Sequence, residues 1–338
     1  MTKKISIAID AMGGENAPHK TLEGVGLFLK KNSKKDDFII NLYGDEAIIK
    51  NKLRELNISS KFIKIIHTDS IVSDEETPLA AVKNSKNTSM WNCINAQISG
   101  GADISLSAGN TGVLLIVSRM ILKMMSEVSK PALAGLWPNK TSMNVVLDLG
   151  ANIECSEKNL VDFSLMGSAL HKSLFENEES KVALLNIGSE ELKGNNVIKN
   201  TYQILNDKKN PLFKFEGYIE GNHIMDGKVN VIVTDGFTGN VALKTAEGTA
   251  NFITSELRKA LNSTIMGKIS ALLNIKNLKK FKNKLDPRLY NGAILLGLDK
   301  PVIKSHGSTD EVGFANSLKV SEKIIKGNLI DKIKKNII

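Results

Sequence analysis

Cysteine is almost absent, Cys93 and Cys155 being the only two in 338 residues. That excludes a disulfide framework, and with no Cys/His cluster at ligand spacing it excludes a structural zinc site as well. Long apolar runs are missing too. None approaches the roughly 18–20 residues needed to cross a bilayer, and Met1-Thr2-Lys3-Lys4 passes straight into a strand-like segment. Nothing marks the chain for export or membrane spanning, so a reducing cytoplasm is the expected location. Aromatic residues make up only 5% of the chain, and no basic stretch carries the interleaved aromatics of a single-strand-binding platform. The formal charge of +9 therefore does not predict a nucleic-acid partner. The three-glycine dinucleotide fingerprint, the phosphate loop ending in Gly-Lys-Ser/Thr and the Gly-x-Ser-x-Gly elbow do not occur. Nucleotide cofactors and serine hydrolysis lose ground together. Cys93, mid-helix between Trp91 and Ile94, reads as core packing, and Cys155 as a silent loop thiol.

The excess charge is local. Between Arg258 and Arg288, Lys259, Lys268, Lys276, Lys279, Lys280, Lys282 and Lys284 are answered only by Asp286. In the same region Leu261, Ile265, Ile269, Leu272 and Leu273 fall three to four residues apart, and Leu278, Phe281 and Leu285 repeat the pattern. This predicts an amphipathic helical element over 261–285 that either lies on an anionic membrane surface or packs on a dimer partner.

Elsewhere apolar runs alternate with amphipathic segments. Strands are predicted at Ile5–Asp10, Phe38–Tyr43, Phe62–His67, Ile104–Ser107, Ala132–Leu136, Asn144–Leu149, Val182–Ile187, Val229–Thr234 and Val302–Lys304. Helices are predicted at Lys20–Lys31, Glu46–Leu56, Lys86–Ser99, Gly112–Met125, Lys158–Phe175, Glu190–Leu205, Gly239–Ala260 and Asp310–Ile330, with Ser308 and Glu311 as a capping box for the last. Continuous apolar strands separated by helices imply an α/β fold, a three-layer α/β/α arrangement on a mostly parallel sheet. No repeat or Pro/Ser-rich linker divides the chain, so residues 1–338 are expected to form one domain with an excursion near 258–288.

Four segments join a strand end, a glycine turn and a helix start: Asp10 to Gly14, Ser107 to Gly112, Thr234 to Asn240, and Lys304 to Ser308. The first N–H groups of a helix point outward unpaired and the macrodipole adds positive charge, so such turns bind anions. In a parallel sheet all four would meet at the C-terminal edge. One glycine turn alone is as well explained by chain geometry. The candidate phosphate contacts are Asp10, Gly13, Gly14, Gly109, Asn110, Thr111, Gly112, Asp235, Gly236 and Gly239. Asn240 and Lys244 sit one helical turn apart on the helix that follows the Thr234–Asn240 turn, where Lys244 either faces a bound anion or is an ordinary solvated lysine. His306, in a loop after a strand, is either a proton donor or a hydrogen-bonded loop histidine. His19, His67, His171 and His223 lack such a setting.

Seven ordered segments resemble the PlsX family of bacterial phosphate acyltransferases. They are Ile7 to Gly14, Ser107 to Gly112, Leu147 to Asn152, Leu185 to Gly188, Asp235 to Asn240 with Leu243-Lys244-Thr245, Tyr290 to Ala293, and Lys304 to Ser308. The resemblance runs from about Ile5 to Ser317. It departs from the family at Glu15, where Asp is usual, and at Pro287 and Leu289, which interrupt a commonly more basic stretch. It implies an isocitrate/isopropylmalate dehydrogenase-like fold, a homodimer, and no metal or nucleotide cofactor. The implied reaction converts acyl-carrier-protein thioester and inorganic phosphate to acyl phosphate for phospholipid synthesis.

Phosphate is itself the nucleophile in that chemistry, so the site needs groups that hold it, receive an oxyanion and assist the leaving thiolate. Lys244, His306 and Asn240 are the expected catalytic residues, with phosphate held around Gly109–Gly112. Two other readings stay open, a phosphotransacetylase using acetyl coenzyme A and a non-enzymatic membrane-surface scaffold. Acyl carrier protein, inorganic phosphate, a second copy of the chain and a downstream membrane acyltransferase are the expected partners.

Overall fold

The computed structural model describes residues 4–32, 37–72, 78–176, 178–207 and 210–337; the lead Met1-Thr2-Lys3 lies outside them. The strands are β1 (Ile5–Asp10), β2 (Phe38–Gly44), β3 (Ile63–His67), β4 (Ile104–Ser107), β5 (Ala132–Pro138), β6 (Met143–Leu147), β7 (Lys181–Asn186), β8 (Lys214–Glu220), β9 (Val231–Val233), β10 (Ala293–Leu296) and β11 (Val302–Lys304). They form one sheet in the order β3-β2-β1-β4-β11-β10-β5-β6-β9-β7-β8. The helices are α1 (His19–Lys31), α2 (Glu46–Glu55), α3 (Pro78–Lys83), α4 (Ser89–Asn95), α5 (Thr111–Leu122), α6 (Glu157–Leu174), α7 (Asn196–Asp207), α8 (Gly236–Asn262), α9 (Ile265–Leu273), α10 (Ile275–Leu285), α11 (Glu311–Lys326) and α12 (Leu329–Lys334).

Both sheet faces are covered, which is why the strands read as unbroken apolar runs. Val145, Leu147, Val231, Val233 and Ile303 join one core cluster, while their neighbours Val146, Ile232 and Val302 join another on the opposite face. Helices pack on each face, giving three layers.

The sheet is mostly parallel, but it reverses. β10 runs antiparallel to both β11 and β5, and the four-residue turn after β5 makes β5–β6 antiparallel. β6, β9, β7 and β8 are mutually parallel and run against β1, β2, β3, β4 and β11. The expectation that all four glycine turns share one edge is therefore corrected. Three do, and the turn after β9 opens at the other edge.

Several local expectations also change. β8 was not anticipated because it is an edge strand that alternates exposed and half-buried residues instead of running apolar, and β10 and α3 were missed as short. The helix expected from Glu190 starts at Asn196, where Asn195 Oδ1 accepts the Ile198 N–H at 2.9 Å. The helix over Lys86–Ser99 is confined to α4, capped by Thr88. The final helix breaks at Gly327 and Asn328, the latter at φ +50°. Its cap is Asp310, whose Oδ1 accepts from Val312 and Gly313 at 3.1 Å each; Ser308 is occupied with His306 instead.

The stretch 261–285 holds the last two residues of α8 and two further helices, α9 and α10, parted at Asn274. Leu272 and Leu273 are 69% and 80% exposed, and no residue of either helix is buried. No helix among the described residues is long and apolar enough to cross a membrane.

Candidate active site

Three adjacent parallel strands end together. Ile9 of β1 is in register with Leu106 of β4, and Leu106 with Ile303 of β11, so Asp10, Ser107 and Lys304 form one row at the strand ends. All three are buried. Ser107 Oγ donates to Asp10 Oδ2 at 2.7 Å and accepts the Gly109 N–H at 3.0 Å. Lys304 Nζ donates to the carbonyls of Ala108, at 3.2 Å, and Ser305. A buried ammonium must be hydrogen-bonded to offset its lost hydration, and these bonds tie the β4 and β11 loops together.

The third loop closes on the same point. Glu15 N–H donates to the Gly307 carbonyl at 2.9 Å. Gly14 has φ +90°, and a Cβ there would also press on Ala108 and the Gly307 carbonyl oxygen. Gly13 lies against Asp10, Ser107 and the Gly109 N–H with no room for a side chain. Asp10, Gly13, Gly14 and Gly109 are thus brought together at the foot of the site.

His306 stands above this row on an exposed loop. Ser308 places both its N–H, at 3.3 Å, and its Oγ, at 3.0 Å, on His306 Nδ1. A backbone N–H can only donate, so Nδ1 is the acceptor and the neutral ring carries its proton on Nε2. Partial desolvation, then the Lys304 and Lys244 ammoniums, hold the ring below the usual histidine range. The neutral ring therefore presents an Nε2–H donor near neutral pH.

Asn110 caps α5, its Oδ1 accepting from Gly112 at 2.9 Å and Val113 at 3.2 Å. Two outward N–H groups expected to be open to phosphate are thus already bonded, the Gly112 N–H among them. Thr111 is exposed and Asn110 and Gly112 half-buried at this helix start.

The fourth turn is placed differently. Asp235 caps α8 by accepting from Thr238 N–H and Oγ1, both at 2.8 Å, and Gly236 N–H donates to Asn152 O at 2.8 Å. Any Cβ on Gly236 would strike Asn152 O, and one on Gly239 would strike Asp148 O. Asp235, Gly236 and Gly239 thus seat α8 on the 148–152 loop and are not brought into the Asp10–Ser107–Lys304 cluster. Exposed Asn240 lies beside Gly150 at this end.

The helix itself bridges the gap. Lys244 lies eight residues inside α8, about 12 Å along its axis. Ala242, Leu243 and Ala246 pack in the same core cluster as Val113 and Leu114 of α5 and Ala293 of β10. Lys244 and Glu247 both act electrostatically on His306, and they pair with each other at 3.0 Å. The reversed half of the sheet thus delivers Lys244 from outside the three-loop cluster.

Both thiols are poor nucleophiles. Burial raises Cys93 far above its normal range, and Cys155 is pushed up to about 11 by burial and by Asp148. Among the described residues, no group of three or more His, Cys, Asp or Glu could hold a metal ion.

A protein family described as "Fatty acid synthesis protein" matches residues 5–332. A phosphate acyltransferase from Pelagibacter ubique is 59% identical over 337 residues, covering 100% of both chains. The chain belongs to the PlsX family of phosphate acyltransferases. A phosphotransacetylase from Streptococcus pyogenes superposes with a TM-score of 0.63 at 14% identity, over 98% of this chain and 95% of that one. The 4-hydroxythreonine-4-phosphate dehydrogenase from Klebsiella pneumoniae gives 0.50 at 11% identity, over 96% and 99%. These two likenesses place the PlsX fold among dehydrogenase-like α/β/α proteins.

Ser107 and Lys304 do not stand out in the sequence as individual residues, although both lie inside the glycine-turn segments. A lysine closing an apolar strand, in Val302-Ile303-Lys304, was the available signal, because such a position is buried on both faces. Asp148 was also missed: five hydrogen bonds from Leu133, Gly150, Ala151 and Asn152 make it the organiser of the loop beneath α8.

Proposed function

We propose that the chain transfers an acyl group from acyl carrier protein to inorganic phosphate, giving acyl phosphate for phospholipid synthesis. The observation that carries this reading is the convergence of Lys304, Lys244 and the Nε2–H of His306 on three touching loops, in a member of the phosphate acyltransferase family. A phosphate oxygen attacks the thioester carbonyl carbon. The new C–O bond forms, the carbonyl becomes an oxyanion, the C–S bond breaks, and the proton of hydrogen phosphate ends on the leaving thiol. Lys244 neutralises the anion, while Asn110 and Thr111 contact it at the start of α5. His306 lends its Nε2–H to the oxyanion or the departing sulfur. Asn240 completes the α8 side. Neither cysteine is needed, and no metal or nucleotide enters the step.

The chain works in this reading as one α/β/α unit and as a homodimer. The α9–α10 arm rests on anionic membrane in the cytoplasm, its exposed Leu272, Leu273 and Phe281 inward and Lys276, Lys279, Lys280, Lys282 and Lys284 toward the lipid headgroups. A labile, apolar product is then released close to the membrane acyltransferase that consumes it.

The test is incubation of purified protein with long-chain acyl-(acyl carrier protein) and phosphate, without metal or nucleotide. Acyl phosphate is expected, and acetyl coenzyme A should replace the carrier-protein thioester poorly. No product from folded protein and authentic substrate would overturn the reading.

A further inference from the structure

The turn 286–291, at the root of α10, grips the loop that carries His306 from both ends. Asn291 Oδ1 accepts the His306 N–H at 3.0 Å, and its Nδ2 donates to Ser305 Oγ at 2.9 Å and Thr309 Oγ1 at 3.2 Å. Ser305 is fully buried and also receives Ser317 Oγ at 3.1 Å, so one end of the grip is anchored in α11.

Arg288 takes the other end. Its Nε and Nη2 clasp Asp286 at 2.5–3.0 Å, and its Nη1 reaches Asp310 Oδ2 at 2.6 Å. Asp310 simultaneously caps α11 through its other oxygen. The Arg288 carbonyl accepts from Asn316 Nδ2 at 2.9 Å, a second tie to that helix. Residues 305, 306 and 309 are therefore bonded to Asn291 and residue 310 to Arg288, two side chains of one short turn.

We infer that Asn291 and Arg288 are positioning residues, which fix the direction of the His306 Nε2–H by holding its loop at four points. The inference rests on the role given to His306 above. The loop makes few bonds of its own, such as the Thr309 N–H to the His306 carbonyl at 3.1 Å, and a hydrogen-bond donor aimed at a transition state must be held closely. A displacement of about 1 Å can cost on the order of 100-fold in rate. Arg288 suits its post because a planar fork can satisfy two carboxylates at once, which an ammonium cannot match geometrically.

Two readouts test it, neither replaceable by a stability measurement. The first is hydrogen exchange at the His306 amide in the full-length protein, which reports the Asn291 bond whether or not the enzyme turns over. The second is the kcat and KM for phosphate of Asn291→Ala, Arg288→Gln and Arg288→Lys, each normalised to folded protein. Expected are at least tenfold faster His306 exchange in Asn291→Ala, a kcat lower by roughly 10- to 100-fold in Asn291→Ala and Arg288→Gln, and a KM for phosphate within about twofold. Arg288→Lys should recover part of the loss. Unchanged exchange in Asn291→Ala overturns the grip. Faster exchange with parental kcat, while His306→Ala is inactive, overturns its catalytic consequence. Parental turnover by His306→Ala overturns the role of His306 and this inference with it, a pattern distinct from a parent that makes no acyl phosphate at all.

Discussion

Ser107 gives its hydroxyl proton to Asp10 across 2.7 Å and, with the same oxygen, receives the Gly109 N–H. Both side chains are about 1% exposed, so neither bond can be replaced by water without opening the loop. Ser107→Ala removes the acceptor of the Gly109 N–H and one donor to Asp10, at a cost of about 1–3 kcal/mol. Urea unfolding should show that loss, and the KM for phosphate should rise because three loops share this joint. A parental midpoint with parental KM would remove Ser107 from the site's foundation.

Lys244 and His306 should fail in different ways. Lys244 is exposed on α8, where Glu247 pairs with it at 3.0 Å, so its charge is available to an incoming anion. Lys244→Ala should raise the KM for phosphate while kcat changes less. His306→Ala should lower kcat by roughly 100- to 1,000-fold, the usual effect of losing one oxyanion donor. Steady-state kinetics on both variants decides; matching parental constants would cancel the assignment.

How much of this was legible beforehand follows from where each residue sits. Asp10 and His306 were visible because a strand-turn-helix pattern marks loop positions, and the strand Val302–Lys304 was placed to the residue. Lys304 was not singled out because charge in a sequence suggests solvent, while burial depends on the strands either side. The sheet reversal was illegible for a related reason. The β5–β6 turn around Asn139 leaves the apolar strand pattern unchanged, so the sequence could not say that β9 opens at the other edge. Gly236 and Gly239 looked like anion-binding glycines, and only the adjacency of Asp148 and Asn152, more than 80 residues earlier, reveals their close-packing role.

Gly239 yields the sharpest stability test. A methyl there would meet the Asp148 carbonyl oxygen, a backbone atom that cannot swing aside, so α8 must lift off the 148–152 loop. Gly239→Ala should cost more than the ~1–3 kcal/mol typical of overpacking. Because α8 carries Lys244, activity should fall even where the protein stays folded. Thermal unfolding and the KM for phosphate would both stay parental if the helix is not seated this way.

His171 predicts a pH dependence of stability. It is fully buried on α6, with Nδ1 3.0 Å from Ser180 Oγ, Nε2 3.6 Å from Glu178, and its ring against Phe175. Burial lowers its pKa despite the opposing pull of Glu178, and Lys172 adds to the lowering. A depressed folded pKa means that the unfolded chain binds the proton first. The contribution of neutral His171 is present above the ordinary value of 6.5 and is lost as pH falls through the lower folded value. Urea titrations should find the stability advantage of the parent over His171→Gln shrinking below pH 6.5, whereas a constant difference from pH 7.5 to 5 would contradict the burial argument.

The α9–α10 arm separates lipid from protein as the cover for its apolar side. Ile265, Met266, Leu272 and Leu273 are 78%, 73%, 69% and 80% exposed, far more than a soluble helix pair normally leaves open. The adjoining lysines can each add about 1 kcal/mol of attraction to an anionic surface, an effect that salt removes. Sedimentation with anionic vesicles should therefore carry down the parent at low salt, less of it at high salt, and little of Leu272→Glu/Leu273→Glu. Neutral vesicles should bind weakly, because the apolar contact alone is small. If the parent ignores anionic vesicles, or the double variant binds them equally, the exposed leucines must be covered by a second copy of the chain, and the same substitutions should then dissociate a dimer in sedimentation velocity.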